Sequence, residues 1–240
     1  RGLIKFYRAM HIAGIGECER VHALFLRFFH QFIYLRQCLE KGVVTMRMEV
    51  DKARRHALQY TFPMRFMLGV DEAGRGPLAG PVAVGVVAVP EGFDVLKEFP
   101  GVRDSKKLSE KKRENIFALL EARGALGDAR FTVEFESAKT IDEEGIATAV
   151  RRALWRGVNA LAPDASLVRI QLDGALRAPS EYSQETIING DELIPLISLA
   201  SIAAKVSRDR LMVNLAAEYP QYGFEQHKGY GTRAHYEMLA

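Results

Sequence analysis

The sequence predicts an α/β domain with a mixed sheet, preceded by a segment of different composition. Two valine-rich strands, 66–70 and 81–89, follow each other across a short glycine-rich connection. Helical patterns then alternate with strands in which apolar and polar residues alternate. The composition, with 48% hydrophobic and 26% charged residues in a chain of 240, allows a substantial buried core.

The second strand, PVAVGVVAV, is apolar on both faces, so we expect a central strand covered on both sides. Residues 74–80 join it to the first strand, and their three glycines predict a tight antiparallel hairpin. The later predicted elements, in order, are helix 109–123, strand 130–136, helix 140–162, strand 167–172 and helix 195–217.

End signals define the predicted helices. Ser109 can cap the first helix, and Gly124 is expected to end it. Thr140 and Glu143 form a capping box at the start of the second helix. Pro195 opens the third helix, where a missing backbone N–H costs nothing.

Residues 1–63 form an extension of uncertain status before the domain at 64–240. Apolar residues at helical spacing predict a helix over about 19–40; they are Leu24, Phe25, Phe28, Phe32 and Leu35. This helix would pack against the core or a partner. The other interpretation is that the segment is not native coding sequence, since the chain begins with Arg1 and several methionines follow.

The net charge and the cysteine content narrow the possible classes of protein only slightly. A formal net charge of +3 permits a polyanionic partner without requiring one. Cys18 and Cys38 have neither zinc-pair spacing nor a disulfide framework, which favours a reducing, cytoplasmic compartment. The most apolar stretch, 23–35, is interrupted by polar residues, so we expect no membrane span.

The segment 69–76, GVDEAGRG, is the strongest chemical signal. Asp71 and Glu72 are adjacent carboxylates that repel each other unless a cation lies between them, and Mg²⁺ prefers oxygen ligands of this kind. An isolated pair would be an ordinary solvated strand end. Here Gly74 and Gly76 allow a phosphate or sugar to approach the backbone, and Arg75 adds charge. The strand must end or twist at this point if both acids serve one site.

Two further acids follow strands later in the chain. Asp173 ends the strand 167–172, where carboxylates often form sites in α/β folds, although alone it is a weak signal. Asp191 lies just before the helix opened by Pro195, and its ordinary role there would be to complement the helix dipole. The chain between the two acids allows a short strand and a return to the same edge.

Ser198, Ser201, Lys205 and Arg208 form one polar stripe on the last predicted helix. The stripe is either the solvent face of an amphipathic helix or a surface that binds phosphate and supports the carboxylates. We expect the neighbouring Asp209 to pair with a nearby arginine rather than to bind metal.

Two short segments could contact a nucleic acid. Lys106 and Lys107 in DSKKLS precede a helix start that can itself hold a phosphate, although a surface turn with two lysines is common. Tyr230 lies between two glycines in HKGYGT, where its ring could stack on a sugar or base. His227 and His235 are expected to be ordinary structural or surface histidines.

Taken together, these segments resemble ribonuclease HII over about residues 66–240. The similarity rests on GVDEAGRGPLAGPV, DSKKLS, LDG, GD, SIAAKVSRD and PQYGFEQHKGYGT, in that order. The sister family ribonuclease HIII usually has a serine and a lysine in its DE segment and a larger N-terminal binding domain. Ala73 and Arg75 therefore favour HII.

The resemblance implies a ribonuclease H-like fold, with a five-stranded mixed sheet flanked by helices. It implies that four acids hold two Mg²⁺ or Mn²⁺ ions; they are Asp71, Glu72, Asp173 and Asp191. Gly74, Arg75 and Gly76 would sense the ribose 2′-hydroxyl at an RNA–DNA junction, where Tyr230 would stack. Backbone contacts are expected from Lys106, Lys107, Ser201, Lys205 and Arg208.

The implied activity is endonucleolytic cutting of the RNA strand of RNA–DNA hybrids and nicking 5′ to ribonucleotides embedded in duplex DNA. We expect a monomer with a role in DNA repair. Because the family usually continues beyond the Tyr230 segment, the domain is expected to be truncated at its C-terminus. The alternatives are a non-catalytic hybrid-binding remnant and another two-metal nuclease, such as a resolvase or integrase. The complete acid set argues against the first alternative, and the GRG segment with Tyr230 argues against the second.

Overall fold

The computed structural model describes residues 65–240, and they contain a five-stranded mixed sheet flanked by helices. The strands are β1 (Phe66–Ala73), β2 (Val82–Pro90), β3 (Arg130–Glu136), β4 (Val168–Asp173) and β5 (Ser183–Ile187). Their order in the sheet is β3-β2-β1-β4-β5. The expected helix over 19–40 and the boundary near residue 63 lie outside the described residues.

Strand direction changes in the middle of the sheet. β1 pairs antiparallel with β2, which pairs antiparallel with β3, whereas β1–β4 and β4–β5 are parallel pairs. This arrangement confirms the predicted fold class and the predicted hairpin. β2 is buried along its length except at Pro90, as its apolar sequence predicted for a central strand. We call residues 74–81, between β1 and β2, the glycine loop.

Eight α-helices are described within residues 65–240. They are α1 (Val95–Glu98), α2 (Glu110–Leu126), α3 (Ala138–Glu144), α4 (Ile146–Leu161), α5 (Gly190–Leu193), α6 (Pro195–Glu218), α7 (Phe224–His227) and α8 (Arg233–Leu239). A 3₁₀ turn covers Ser105–Lys107. We call residues 228–232, between α7 and α8, the tyrosine loop.

Two predicted helix ends are wrong for the same reason. α2 ends at Gly127, with φ of 86°, and not at Gly124, which lies inside the helix. The predicted helix 140–162 is two helices, because Gly145 with φ of 83° breaks it. The cap of α3 is Ser137, which accepts a hydrogen bond from the backbone N–H of Thr140. Pattern alone does not show which glycine adopts a positive φ.

Two hydrophobic clusters cover the two faces of the sheet. On one face α4 contributes Leu154 and packs against Leu68, Val84 and Ile170. On the other face α2 and α6 pack together; this cluster includes Val87, Phe117, Leu120, Leu199 and Ile202. α6 therefore lies across the centre of the sheet, and the residues of β1 and β4 that point to this face meet it.

The close approach of α6 depends on glycine. A Cβ atom added at Gly85 in β2 would overlap the carbonyl oxygen of Ala200 and lie 3.0 Å from the backbone N of Ala204. Gly69 in β1 is restricted in the same way by the backbone of Leu196. These glycines let the helix backbone rest directly on the sheet, so α6 is fixed within a narrow range of positions.

None of the helices between residues 65 and 240 combines the length and the apolar character that a bilayer crossing requires.

We predict that Gly85→Ala destabilises the protein by about 1–3 kcal/mol, because the helix backbone cannot move away without disturbing the core. Gly124→Ala is the matched control, since a Cβ there meets nothing closer than 3.4 Å. That change should be neutral or stabilising by up to about 1 kcal/mol, as expected for alanine in a helix. Urea unfolding of both variants measures the difference, and equal stabilities would show that α6 does not lie this close to the sheet.

Candidate active site

Parallel pairing of β1 and β4 brings two of the predicted acids to one edge of the sheet. The register pairs Val70 with Leu172, so Asp71 and Asp173 are the next residues of their strands. Leu172 and Val70 both belong to the cluster on the α4 face. Because side chains alternate along a strand, Asp71 and Asp173 point to the other face, towards α6.

Asp191 joins them from α5, the short helix that follows β5. Its backbone N–H donates to Oδ1 of Asp173 at 3.3 Å. A Cβ added at Gly190 would lie 2.6 Å from Cδ1 of Ile197 and 3.2 Å from Oδ1 of Asp173, so only glycine allows this approach. The expected return of the chain to the same edge after Asp173 is confirmed, with β5 as the intervening strand.

Asp71 is a buried carboxyl with other acids close to it. Its residue is 5% exposed, and its Oδ1 accepts from the backbone N–H of Glu72 at 2.7 Å. Burial raises the pKa of Asp71 well above its ordinary value, and repulsion from Glu72 and Asp173 raises it further. The Ser201 hydroxyl on α6 partly opposes this shift. Folding therefore places a carboxyl where its charge is disfavoured.

The side chain of Glu72 points to the face of the sheet opposite to that of Asp71. The reason is that β1 continues to Ala73, and side chains alternate along a strand. The strand therefore does not end at this point, which was one of the two ways in which both acids could serve one site. Glu72 instead accepts a hydrogen bond from Arg75 at 3.0 Å. Burial raises the pKa of Glu72, Arg75 lowers it, and Asp173 raises it. The Asp173 contribution shows that Glu72 still lies in the field of the same cluster.

Two lysines of the 3₁₀ turn form ion pairs with the two acids of α5. Nζ of Lys106 lies 3.1 Å from Oδ2 of Asp191, and Nζ of Lys107 lies 2.9 Å from Oε2 of Glu192. Burial lowers the pKa of Lys106, but the hydrogen bond to Asp191 and the negative charges of Asp191, Asp104 and Asp71 together outweigh burial, and the net shift is upward. The Lys106 side chain is 78% exposed, so it can leave Asp191 for another anion.

Two serines of the polar stripe on α6 lie next to the acids. Oγ of Ser198 donates to the carbonyl oxygen of Asp191 at 2.7 Å. Oγ of Ser201 lies 2.8 Å from Oγ of Ser105, which sequence reasoning did not single out although it lies within DSKKLS. Ser198 and Ser201 are buried, so the solvent-face interpretation of the stripe is wrong. Ser201 is 4% exposed, and its hydroxyl lowers the pKa of Asp71.

Arg208 is also buried, and this corrects the expected phosphate contact. Its guanidinium donates to the carbonyl oxygens of Pro81, Ala79 and Lys228 and is enclosed by protein. Lys205, one turn earlier, pairs with Asp209 at 2.7 Å. The expected pairing of Asp209 with an arginine is therefore wrong, although Asp209 does pair with a cation.

The glycine loop and the tyrosine loop lie side by side. The backbone N–H groups of Leu78 and Ala79 both donate to the carbonyl oxygen of Gly229, at 2.9 and 3.3 Å. Gly74 has φ of 101°, and Gly76 has open space around it. Tyr230 is 36% exposed, and its ring lies 5.0 Å from Nζ of Lys205. The two loops that carry the groups expected to read a ribose are thus in contact.

The two histidines are structural, as expected. The rings of His227 and His235 stack with centroids 4.2 Å apart, and both residues are buried. Nε2 of His227 contacts the carbonyl oxygen of Tyr222 at 2.8 Å, and Nδ1 of His235 contacts that of Tyr230 at 3.0 Å. They fix the backbone of the tyrosine loop and its flanks.

In the described part of the chain, no three His, Cys, Asp or Glu side chains are already arranged around a common ion position. Glu72 is held by Arg75, and Asp191 is held by Lys106. The donor set nevertheless fits Mg²⁺ or Mn²⁺, because carboxylate oxygens are the ligands these hard cations prefer. A cation would also relieve the repulsion that raises the pKa of Asp71.

Comparison with solved structures defines the class as ribonuclease H-like. The ribonuclease HII chain in a complex with PCNA from Archaeoglobus fulgidus matches with a TM-score of 0.57 and 28% identity, over 72% of this chain and 86% of that one. Ribonuclease H2 from Pyrococcus horikoshii OT3 gives 0.55 and 27%, over 72% and 84%.

The chain belongs to the ribonuclease HII family, whose model matches residues 68–240. Ribonuclease HII of Geobacillus kaustophilus is 40% identical over 221 residues, which cover 85% of this chain and 80% of the relative. Ribonuclease HII of Bacillus cereus strain AH820 is 43% identical over 177 residues, 73% of this chain and 64% of the relative. The resemblance seen in the motifs is confirmed, and the protein is a ribonuclease H endoribonuclease.

We predict that Asp71→Asn raises the melting temperature at pH 7. Because folding raises the pKa of Asp71 above 3.8, its ionisation costs stability as the pH rises above that value. The amide removes this cost, so the difference from the wild type should shrink as the pH falls towards 3.8. Each kcal/mol relieved should add roughly 2–4 °C.

Calorimetric scans between pH 4 and pH 8 measure this effect. Asp142→Asn is the control, since it removes one negative charge from an exposed position on α3. A melting temperature of Asp71→Asn at or below the wild-type value at pH 7 would contradict the claim that ionised Asp71 destabilises the folded protein.

Proposed function

We propose that this endonuclease cuts the RNA strand of RNA–DNA hybrids and nicks duplex DNA 5′ to embedded ribonucleotides, using two Mg²⁺ or Mn²⁺ ions. One observation carries the proposal. Carboxylates from three separate chain segments gather at one edge of the sheet, and the glycine loop that follows β1 lies beside Tyr230. An RNA-reading surface would therefore adjoin a metal-binding surface.

The four acids would hold the ions: Asp71, Glu72, Asp173 and Asp191. When bound, two divalent cations lower the pKa of a water molecule and stabilise the leaving 3′-oxygen. The protein's own contribution is positional. The Ser201 hydroxyl favours the charged form of Asp71, and Ser198 donates a hydrogen bond to the backbone carbonyl of Asp191.

Arg75 and Lys106 would act as exchangeable cations. Each pairs with one acid, at 3.0 Å for Arg75 with Glu72 and 3.1 Å for Lys106 with Asp191. The cationic side chains are 45% and 78% exposed, so each can turn into solvent when a divalent ion takes its place. The released side chains then face the scissile region, where the phosphate backbone is the matching anion.

Ribose recognition would fall to the two loops. Gly74 and Gly76 keep the backbone of the glycine loop open to a close approach, and the 2′-hydroxyl is the group that separates RNA from DNA. Tyr230 offers a ring face on which a sugar or base can stack. Lys107 and Lys205 supply further positive charge for phosphates.

We also propose that the enzyme acts as a cytoplasmic monomer in DNA repair. All the proposed site residues come from one chain, which fits a monomer. Two cysteines without a disulfide framework fit a reducing compartment. A nick beside an embedded ribonucleotide is the step from which its removal from DNA can begin.

The alternative is a remnant that binds hybrids without cutting them. Such a remnant would have no use for a buried carboxyl with a raised pKa, which the fold keeps at a cost. The persistence of this strained acid beside Asp173 favours the enzyme.

We predict that Asp173→Asn lowers the rate of cutting by more than about 100-fold, because loss of a metal ligand should cost at least as much as loss of a group that supports one. Two substrates are needed, an RNA–DNA hybrid and a DNA duplex with one ribonucleotide, each with Mg²⁺ or Mn²⁺. Asp142→Asn serves as the control and should cut like the wild type.

Three results would count against the proposal. Wild-type binding without product would support the remnant. Cutting of all-DNA junctions would indicate another nuclease of the same fold. Undiminished cutting by Asp173→Asn would remove this acid from the mechanism.

A further inference from the structure

Arg208 on α6 is 0% exposed, although arginine is among the residues least often fully buried. A buried guanidinium usually pairs with a carboxylate. Within residues 65–240 Arg208 forms no ion pair, and its neighbour Asp209 pairs with Lys205 instead. Its five N–H donors must therefore be satisfied in another way.

Backbone carbonyls of two loops accept one hydrogen bond from each of the three guanidinium nitrogens. Nε of Arg208 donates to Pro81 at 2.8 Å and Nη2 donates to Ala79 at 3.2 Å, both at the end of the glycine loop. Nη1 donates to Lys228 at 3.0 Å, at the start of the tyrosine loop. One planar group thus binds two segments that are far apart in the chain.

The packing around this group leaves no space for larger side chains. A Cβ added at Gly74 would lie 2.7 Å from Cδ of Arg208 and overlap its Nε. A Cβ added at Gly229 would overlap the carbonyl oxygen of Ala79. The two loops therefore touch through glycine backbone, and the Arg208 side chain fills the space beneath them.

The same side chain reaches Tyr230. Cζ of Arg208 lies 5.6 Å from the centre of the Tyr230 ring, within the range of a cation–π contact. The backbone of Tyr230 is held by the carbonyl oxygen of His227 at 2.8 Å and by Nδ1 of His235. Arg208 therefore touches the glycine loop, the tyrosine loop and the exposed ring.

We propose that Arg208 is a positioning residue that locks the glycine loop and the tyrosine loop in one relative position, so that Arg75 and Tyr230 read the same ribose. This inference rests on the proposed function and extends it to a residue that touches no substrate. Without the guanidinium, three carbonyl groups lose their donors and the loops can separate. Catalysis and selectivity are sensitive to displacements of about 1 Å, so the loss should appear in substrate choice.

The test compares Arg208→Met and Arg208→Lys with the wild type. The measured quantity is the ratio of kcat/KM for a duplex with a single ribonucleotide to kcat/KM for a continuous RNA–DNA hybrid. In a duplex with a single ribonucleotide, both loops must be positioned on the same ribose for cutting to occur. A continuous hybrid offers a ribose at every position, so it tolerates loops that have moved apart. We expect the ratio to fall at least tenfold in Arg208→Met, and less in Arg208→Lys, which can keep one of the three hydrogen bonds.

A control separates positioning from general loss of stability. Leu120→Ala empties a fully buried position on α2 and leaves both loops untouched. Its ratio of kcat/KM values should equal that of the wild type even if its melting temperature falls as far as that of Arg208→Met. Because Arg208→Lys keeps the charge and most of the volume, it remains informative if Arg208→Met fails to fold.

Limited trypsin digestion gives a readout that does not depend on activity. Arg75 is exposed in the glycine loop, and Arg103 is an exposed residue between two buried ones elsewhere in the chain. Release of the loop should raise cleavage after Arg75 several-fold relative to cleavage after Arg103, measured by mass spectrometry. Leu120→Ala should leave this relative rate unchanged.

The outcomes are distinguishable. Absence of cutting by the wild type overturns the proposed function. Cutting by the wild type with an unchanged ratio and unchanged trypsin cleavage in both Arg208 variants overturns the positioning role alone. A fall in the ratio together with faster cleavage after Arg75 supports it.

Discussion

Burial of a carboxyl among other acids is the constraint on which the rest of the structure depends. Asp71 lies at the edge of the sheet, where burial raises its pKa and repulsion from Glu72 and Asp173 raises it further. Isolated from cations, such a group would be destabilising. The neighbouring Arg75 and Lys106, each bound to one acid, limit the cost. A divalent ion would replace both contacts with stronger ones.

α6 links this charged edge to the loops that surround it. Gly69 and Gly85 let its backbone contact the sheet directly, which fixes the distance of its side chains from the strands. Ser198 and Ser201 then meet Asp191 and Asp71 near its N-terminal end. Two turns further on, Arg208 meets the two loops. One helix thus sets the distance between the acids and the groups that would recognise a ribose.

Much of this could be predicted from the sequence. Valine-rich β2, the hairpin and the gathering of acids at strand ends follow from alternation and from glycine placement, which are local signals. The break at Gly145 could not be predicted, because a glycine in a helical pattern has the same letters whether φ is negative or 83°. The burial of Arg208 was missed for another reason. Its carbonyl partners at Ala79 and Pro81 lie 129 and 127 residues away, and helical periodicity cannot predict contacts at such a separation.

The central claim is that the four acids, though not yet arranged around an ion, close on divalent cations when these are supplied. Titration of the protein with Mn²⁺, with free Mn²⁺ measured by electron paramagnetic resonance at pH 7, tests it most directly. The account predicts saturable binding by the wild type that weakens at least tenfold when Asp71 or Asp173 is changed to asparagine. Equal Mn²⁺ binding by the wild type and both variants would contradict it.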